Sequence, residues 1–263
     1  MTDHVITAVD KGVLTLTLNR PEKKNALTDA MYKALADGIE QAERDPAIRV
    51  VLFRANGDAF TAGNDLADFA AAGNAPANSG NGGLQSNVTR FLENLAKAEK
   101  PLIAAVNGLA VGVGVTMLLH CDLAYAGESA TLQMPFVNLG LIPEAGSTLL
   151  LPRLVGLQKA ADLFLTGKKI GAAKAEAIGI IADVFPDAEL QAEALARAET
   201  LAAKAPTAVK LTKALLKGDD RAAVLAQQKK EGAHFAAQLR SAEVKEAISA
   251  FFEKRAPDFS KVS

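Results

Sequence analysis

The sequence has little of the chemistry that cysteine and histidine supply. Cys121 is the one cysteine among 263 residues, so no intramolecular disulfide can form and a cysteine-rich zinc site is excluded. The three histidines, His4, His120 and His234, are scattered and lack the spacing of metal ligands. We therefore expect no metal site.

The chain also lacks an excess of charge of either sign. It carries 29 basic and 30 acidic residues, a net charge of -1, which implies no polycation-type attraction to nucleic acid or to a membrane surface. Residues 1–7 show no basic segment followed by an apolar one. We therefore expect no secretory signal and a cytoplasmic location.

No apolar run in the chain is typical of a membrane span. The nearest is residues 102–119, which contain Asn107 and three glycines, whereas a spanning helix needs about 20 predominantly apolar residues. This segment is better interpreted as a buried strand, a glycine turn and a buried helix. With 49% hydrophobic and 22% charged residues, the composition is that of an ordinary globular protein.

Strand and helix patterns alternate along most of the chain, which predicts an α/β domain over residues 1–195. The predicted strands are 5–9, 13–18, 48–54, 102–106, 123–126 and 131–134, the first two forming a hairpin. Thr28 is positioned to cap a helix that runs to about Arg44, and a second helix follows Gly114 and ends near Cys121. Residues 196–263 form a helical C-terminal region.

Two further segments carry specific expectations. Residues 71–87 are dominated by alanine, glycine, asparagine and serine, which predicts a loop. The loop either lies over a binding site or is a mobile connection without a role in binding, and the second is the default interpretation. Residues 241–254 place Val244, Ile248, Phe251 and Phe252 on one side of a helix. That side has to be buried, and a neighbouring subunit is one way to bury it.

The segment 135–147 contains a single carboxylate, Glu144, after a long apolar run. Desolvation in such surroundings raises the pKa of a carboxyl group towards values useful for proton transfer near neutrality. A structural interpretation competes with this one, because Pro143 followed by Glu144 is a good opening for a helix. Taken alone, Glu144 favours the structural interpretation.

Two glycine-bearing turns, residues 60–65 and 107–114, lie upstream. Glycine there either permits tight packing of strand and helix or lets backbone N–H groups point at an oxyanion. The spacing Gly108-x-x-x-Gly112-x-Gly114 is not that of a dinucleotide-binding motif. Neither a P-loop nor a G-x-S-x-G motif occurs, which disfavours a nucleotidase and a serine hydrolase. A lone base with two amide donors suggests proton abstraction next to a carbonyl.

Several ordered motifs resemble the enoyl-CoA hydratase/isomerase (crotonase) superfamily, and the resemblance covers nearly the whole chain. The motifs are residues 19–27 (NRPEKKNAL), 60–65 (FTAGND), 107–114 (NGLAVGVG), 121–124 (CDLA) and 251–255 (FFEKR). The resemblance implies an α/β fold made of a spiral of ββα repeats with a C-terminal helical trimerisation region. It also implies a homotrimer or a dimer of trimers, and a role in fatty acid metabolism.

The resemblance also implies an acyl-CoA substrate, with coenzyme A entering as part of the thioester and no separate cofactor. By position, the backbone N–H groups of Asn64 and Val113 would form the oxyanion hole. Val113 is bulkier than the glycine often found there and narrows the pocket or shifts the turn. The remaining coenzyme A contacts implied are Lys23, Ala26, Ala62, Asp65 and Leu66, with Phe251 and Lys254 reaching in from the C-terminal region.

The acidic residues depart from the hydratase pattern. Hydratases of this family use two glutamates, and the matching positions hold Thr116 and Phe136, neither of which is a carboxylate base. Glu144 matches the catalytic glutamate of one branch of Δ3,Δ2-enoyl-CoA isomerases, in an apolar pocket with Phe136 and Leu141. A dienoyl-CoA isomerase would need an acid in place of Phe136. Substitution of Thr116 by alanine is expected to be mild.

Other readings stay open at this point. They are a 2-enoyl-CoA hydratase, a non-catalytic acyl-CoA-binding member of the family, and an enzyme for another thioester reaction such as hydrolysis or decarboxylation. His120, Cys121 and Asp122 are interpreted as structural: His120 as a packed helix residue, Cys121 as a buried thiol and Asp122 as a cap of the turn after the helix.

Overall fold

Strands that follow one another along the chain alternate between two sheets. The computed structural model describes residues 4–65, 67–68, 83–218 and 220–262. The strands are β1 (Val5–Asp10), β2 (Val13–Leu18), β3 (Val50–Ala55), β4 (Ala59–Thr61), β5 (Leu102–Val106), β6 (Leu109–Val111), β7 (Leu123–Gly127), β8 (Thr131–Gln133), β9 (Lys169–Gly171) and β10 (Asp183–Phe185).

Helices follow most strand pairs and predominate among the described residues of the C-terminal region. They are α1 (Asp29–Arg44), α2 (Gly83–Lys97), α3 (Val113–Thr116), α4 (Ser147–Val155), α5 (Leu157–Thr166), α6 (Ala172–Ala177), α7 (Leu190–Ala202), α8 (Pro206–Lys217), α9 (Asp220–Gln238) and α10 (Ala242–Phe252). Thr28 caps α1 by accepting a hydrogen bond from the N–H of Met31, which confirms the predicted cap. Among the described residues, no helix is both long and apolar enough to cross a membrane.

The larger sheet has six strands in the order β1-β2-β3-β5-β7-β10. β1 and β2 pair antiparallel, and the remaining neighbours pair parallel. The predicted hairpin is confirmed, and its two turn residues, Lys11 and Gly12, both have positive φ angles of 46° and 78°. Such φ values match the two-residue turns whose twist suits a hairpin.

The smaller sheet has four strands in the order β4-β6-β8-β9, and its first three strands are parallel. β3, β5 and β7 belong to the larger sheet, and each is followed directly by the β4, β6 or β8 strand of the smaller one. A helix closes each of these pairs before the next begins. This arrangement confirms the expected spiral of ββα repeats.

The central strands of the larger sheet, β3, β5 and β7, are buried on both faces, which explains why most of their residues are apolar. On β3, Val51 and Phe53 face the main core, which also includes the buried face of α1. Val50 and Leu52 face the opposite way, into a second cluster with Leu190, Ala194 and Ala198. That second cluster is closed by α7, which spans the predicted domain boundary at residue 195.

Three local expectations were wrong. The glycine turn after β5 contains a strand, β6, because Leu109–Val111 pairs with β4 and β8. The helix expected to run to Cys121 is only α3, which passes into a 3-10 turn at Met117–Leu119. The loop expected over residues 71–87 is too long, since α2 begins at Gly83; residues 71–82 lie outside the described residues.

The C-terminal helix α10 buries part of the side expected to be apolar. Ser241 caps it by accepting from the N–H of Val244, whose side chain is buried, and Ile248 packs against the main core. Phe251 and Phe252 stay 57% and 60% exposed. The expected trimer or hexamer stays a prediction.

Candidate active site

Parallel pairing of β4 and β6 brings the two glycine turns side by side. Thr61 lies opposite Ala110 in the register, and Asn64 and Val113 each follow these positions by three residues. The closeness is visible at Gly63, where a Cβ atom would stand 3.0 Å from the backbone oxygen of Val111. The sheet therefore places the turns of Asn64 and Val113 next to one another.

The backbone N–H groups of these two residues have no acceptor among the described residues. Around Asn64, the flanking groups are used: Leu27 N–H donates to Gly63 and Asp65 N–H donates to Leu27. Val113 is the first residue of α3, where an N–H has no partner within the helix. An oxyanion hole requires two such unpaired donors close together, and this arrangement therefore keeps the predicted role of Asn64 and Val113 open.

Glu144 is held at this same place by α3. The hydroxyl of Thr116, three residues after Val113, donates to Oε1 of Glu144 at 2.5 Å. The carboxyl group is buried, its residue being 7% exposed. Burial raises the pKa of Glu144 to about 7; the hydrogen bond from Thr116 opposes this shift and the negative charge of Glu231 adds to it. A carboxyl group with that pKa is suited to exchange protons at neutral pH.

The structural interpretation of Glu144 as the opening of a helix is wrong. α4 begins three residues later, at Ser147. Between them Ala145 and Gly146 both take left-handed conformations, with φ of 64° and 71°. Since a left-handed alanine is unfavourable, this turn is maintained by contacts from elsewhere in the fold.

Sequence reasoning missed two polar neighbours of the base. It treated Thr116 only as an absent carboxylate, whereas the hydroxyl fixes one oxygen of Glu144. It also overlooked Tyr32, whose buried hydroxyl donates to the side-chain oxygen of Asn64. Burial and the charge of Glu144 both raise the pKa of Tyr32. The sequence does place a tyrosine on the apolar side of α1, and a buried tyrosine hydroxyl needs a hydrogen-bond partner.

Of the two residues expected to form the apolar pocket, Phe136 lies beside the turn that carries Val113, and the N–H of Leu141 donates to the carbonyl oxygen of Phe136 at 2.9 Å. Phe136 and Leu141 are both buried, each 6% exposed. The ring of Phe136 would stand 3.9 Å from a Cβ atom at Gly112, the residue preceding Val113. An aromatic ring therefore lies next to this turn, at one of the two positions where the resemblance leads us to expect a glutamate in a hydratase.

The residues expected to contact coenzyme A fall into two groups. Lys23, Ala26, Ala62 and Asp65 lie on two segments joined by backbone hydrogen bonds, among them Ala62 N–H to Lys24 at 2.8 Å. Asp65 is also held by Arg20 at 2.6 Å. Leu66 lies outside the described residues. Phe251 and Lys254 are exposed at the end of α10 and beyond it, and their part in binding stays a prediction.

The three residues taken as structural have structural contacts, although Cys121, which was expected to be buried, is only partly buried and donates its thiol to the carbonyl oxygen of Met117. Asp122 accepts from the N–H of Leu102 and from the ammonium of Lys213, each at 2.8 Å. His120 is buried and its Nε2 lies 2.7 Å from the carbonyl oxygen of Ala145. Burial lowers the pKa of His120 to about 4 and raises that of Cys121 to about 12. Both are neutral at pH 7.

Thr116→Val is expected to raise the pKa of Glu144, whereas the mild effect expected of Thr116→Ala stays a prediction. Valine keeps the volume of threonine but removes the donor that favours the charged carboxylate. In protein carrying ¹³C-labelled glutamate carboxyl groups, one signal should titrate near pH 7 and disappear in Glu144→Gln. That signal should titrate at a higher pH in Thr116→Val; an unchanged midpoint would contradict the role given to the hydroxyl.

Comparisons with known proteins give a consistent result. A family model described as enoyl-CoA hydratase/isomerase matches residues 8–262. The chain is 38% identical to 1,2-epoxyphenylacetyl-CoA isomerase of Escherichia coli K12, over 99% of each chain. It is 33% identical to enoyl-CoA delta isomerase 2 of Rattus norvegicus, over 95% of this chain and 64% of the rat protein.

Hydratases are similar to the chain to a comparable degree. It is 36% identical to 2,3-dehydroadipyl-CoA hydratase of Escherichia coli K12, over 97% of this chain and 98% of the relative. Among solved structures, an enoyl-CoA hydratase/isomerase from Pseudoalteromonas atlantica T6c is 49% identical and superposes with a TM-score of 0.90, covering 98% of this chain and all of the other.

Proposed function

The chain belongs to the enoyl-CoA hydratase/isomerase family, and we propose that within it the protein is a Δ3,Δ2-enoyl-CoA isomerase with a single catalytic glutamate, Glu144. The coarser statement, an acyl-CoA enzyme of this family, follows from the family match. The finer one depends on the chemistry of the site, because relatives of similar identity include both isomerases and a hydratase.

One observation carries the proposal: among the described residues, Glu144 is the buried carboxylate that is hydrogen-bonded to the helix beginning with Val113. Hydration of a double bond requires a water molecule that is held and activated. The positions expected to do so hold Thr116, whose hydroxyl is engaged with Glu144, and Phe136, whose ring is apolar. The carboxyl oxygens of Glu231 are engaged by the N–H groups of Gly146 and Thr148. An isomerisation with one base needs only a carboxylate such as Glu144 and the two backbone N–H donors.

In the proposed reaction, the ionised Glu144 removes a proton from C2 of a 3-enoyl-CoA. That proton is acidic because the thioester carbonyl and the C3–C4 double bond both delocalise the resulting charge. The charge develops on the thioester oxygen, where the N–H groups of Asn64 and Val113 stabilise it. Each donor of this kind contributes about 3 kcal/mol to transition-state stabilisation.

The proton then returns to C4 from the protonated Glu144, and the double bond becomes C2–C3. The reaction is balanced by this one proton, so neither a second base nor an oxidant is needed. The raised pKa of Glu144 suits both steps, since the group has to accept and release a proton at neutral pH. Phe136 and Leu141 exclude water from the base and from the dienolate.

A paired assay tests the proposal. Purified protein is given a 3-enoyl-CoA in one cuvette and a 2-enoyl-CoA in another, and the absorbance of the conjugated thioester is followed in each. We expect absorbance to grow in the first and to change little in the second. Rapid loss in the second would identify a hydratase. An unchanged absorbance in both cuvettes, with thioester binding intact, would contradict the proposal and favour a non-catalytic acyl-CoA-binding protein.

A further inference from the structure

The turn that carries Glu144 is held by a carboxylate from the C-terminal helical region. Glu231, on α9, is 2% exposed. Its Oε2 accepts from the N–H of Gly146 at 2.6 Å, and its Oε1 accepts from the N–H of Thr148 at 3.0 Å and from the Thr148 hydroxyl. These donors belong to the start of α4, which has no side-chain cap of its own because Gly146 occupies the capping position.

A second contact holds the other side of the same turn. The buried His120 lies with Nε2 2.7 Å from the carbonyl oxygen of Ala145, and as a neutral ring it donates to that oxygen. Ala145, left-handed at φ 64°, is therefore fixed at its carbonyl by His120 and at the following N–H by Glu231. The residue immediately before it is Glu144.

The helix that carries Glu231 presents one continuous face to this turn. A Cβ atom at Gly146 would stand 3.1 Å from a methyl group of Val224 and 3.4 Å from Cγ of Gln228. Val224, Gln228 and Glu231 follow the spacing of one helix face. Gln227 donates to the Thr148 hydroxyl at 2.7 Å, so the hydroxyl proton of Thr148 is left to bind Glu231.

We propose that Glu231 is a positioning residue for the base: it fixes the Glu144 turn from α9 and thereby makes the C-terminal helical region part of the active site. The catalytic consequence rests on the proposed isomerase function, while the positioning itself is a property of the fold. Glu231 does not touch the reacting atoms, because both of its oxygens are occupied by the start of α4.

Electrostatics supports the geometry. Burial raises the pKa of Glu231, against the lowering effect of its hydrogen bonds, and its negative charge raises the pKa of Glu144. Two other titratable groups lie close to the turn: Tyr32 on α1, whose pKa is raised by burial and by the charge of Glu144, and His120, whose pKa is lowered by burial and by the charges of Lys217 and Lys213. Removal of the charge of Glu231 is therefore expected to lower the pKa of Glu144.

Glu231→Gln tests the proposal, with Glu243→Gln on α10 as the matched control. In the variant, the ¹³C-carboxyl signal of Glu144 should titrate at a lower pH, because a nearby like charge is gone. The rising limb of kcat/KM against pH should move with it, and kcat should fall about tenfold with little change in KM, because the base is less well placed. The control should match the wild-type protein in all three measurements.

A lower melting temperature with an unchanged titration of Glu144 and an unchanged kcat would overturn the proposal, since Glu231 would then be only a helix cap. If the wild-type protein isomerises nothing, the proposed function fails, but the ¹³C titration still decides the inference. Should Glu231→Gln not fold, Thr148→Val replaces it: loss of that donor destabilises the charge of Glu231, so a smaller shift of Glu144 in the same direction is expected, and no shift would count against the proposal.

Discussion

Glu144→Gln is expected to lower kcat for isomerisation of a 3-enoyl-CoA by about 10⁴-fold, the upper end of the range for general acid–base catalysis. The loss is large because one group performs both proton transfers, and glutamine can neither accept the C2 proton nor deliver one to C4. Affinity for the thioester should be nearly intact, since the amide fills the same buried space. Steady-state kinetics and titration of a non-reacting acyl-CoA measure the two quantities.

Glu128→Gln, an exposed glutamate just after β7, is the control and should behave as the wild-type protein does. Comparable turnover in Glu144→Gln would remove Glu144 from its role. Glu144→Gln should also be more stable than the wild-type protein at alkaline pH. The pKa of Glu144 is about 7 in the folded protein, against 4.5 for an ordinary glutamate. The protonated carboxyl group therefore stabilises the folded state by about 3 kcal/mol below pH 4.5, at 1.4 kcal/mol per pKa unit, and this stabilisation is lost as the pH rises through 7. Glutamine does not titrate.

Val113→Pro is expected to lower kcat by about 10²–10³-fold, the cost of losing one oxyanion donor. Proline has no N–H, and the first position of a helix is the one at which proline is best tolerated. Val113 holds that position in α3, and its N–H has no acceptor among the described residues. The fold should therefore survive while the donor is lost, as circular dichroism and thermal unfolding would establish.

Val113→Ala separates the backbone from the side chain. Alanine keeps the N–H, so its kcat should lie within a few-fold of the wild-type value, with any change confined to the fit of the pocket. If the alanine variant lost as much activity as the proline variant, the valine side chain and not the backbone donor would be responsible. If Val113→Pro retained full activity while folded, the oxyanion hole would have to be assigned elsewhere.

Much of the fold was predictable because its signals are local. The hairpin at Lys11 and Gly12, the cap at Thr28 and most of the sheet strands follow from alternation, turn residues and capping residues read over a few positions. β6 was missed because three residues between glycines carry too weak a pattern, and its strand character comes from the neighbours with which it pairs.

The sequence by itself determined the family, the ββα repeat and the identity of one carboxylate, Glu144, in apolar surroundings, because these depend on residue types at short spacing. Only the tertiary structure decided how that carboxylate is held. Glu144 accepts a hydrogen bond from Thr116, which lies 28 positions earlier in the sequence. The turn after Glu144 is fixed by Glu231, which lies 85 positions after Gly146. No local pattern encodes such contacts, since they exist only when parallel strands and a distant helix pack against one turn.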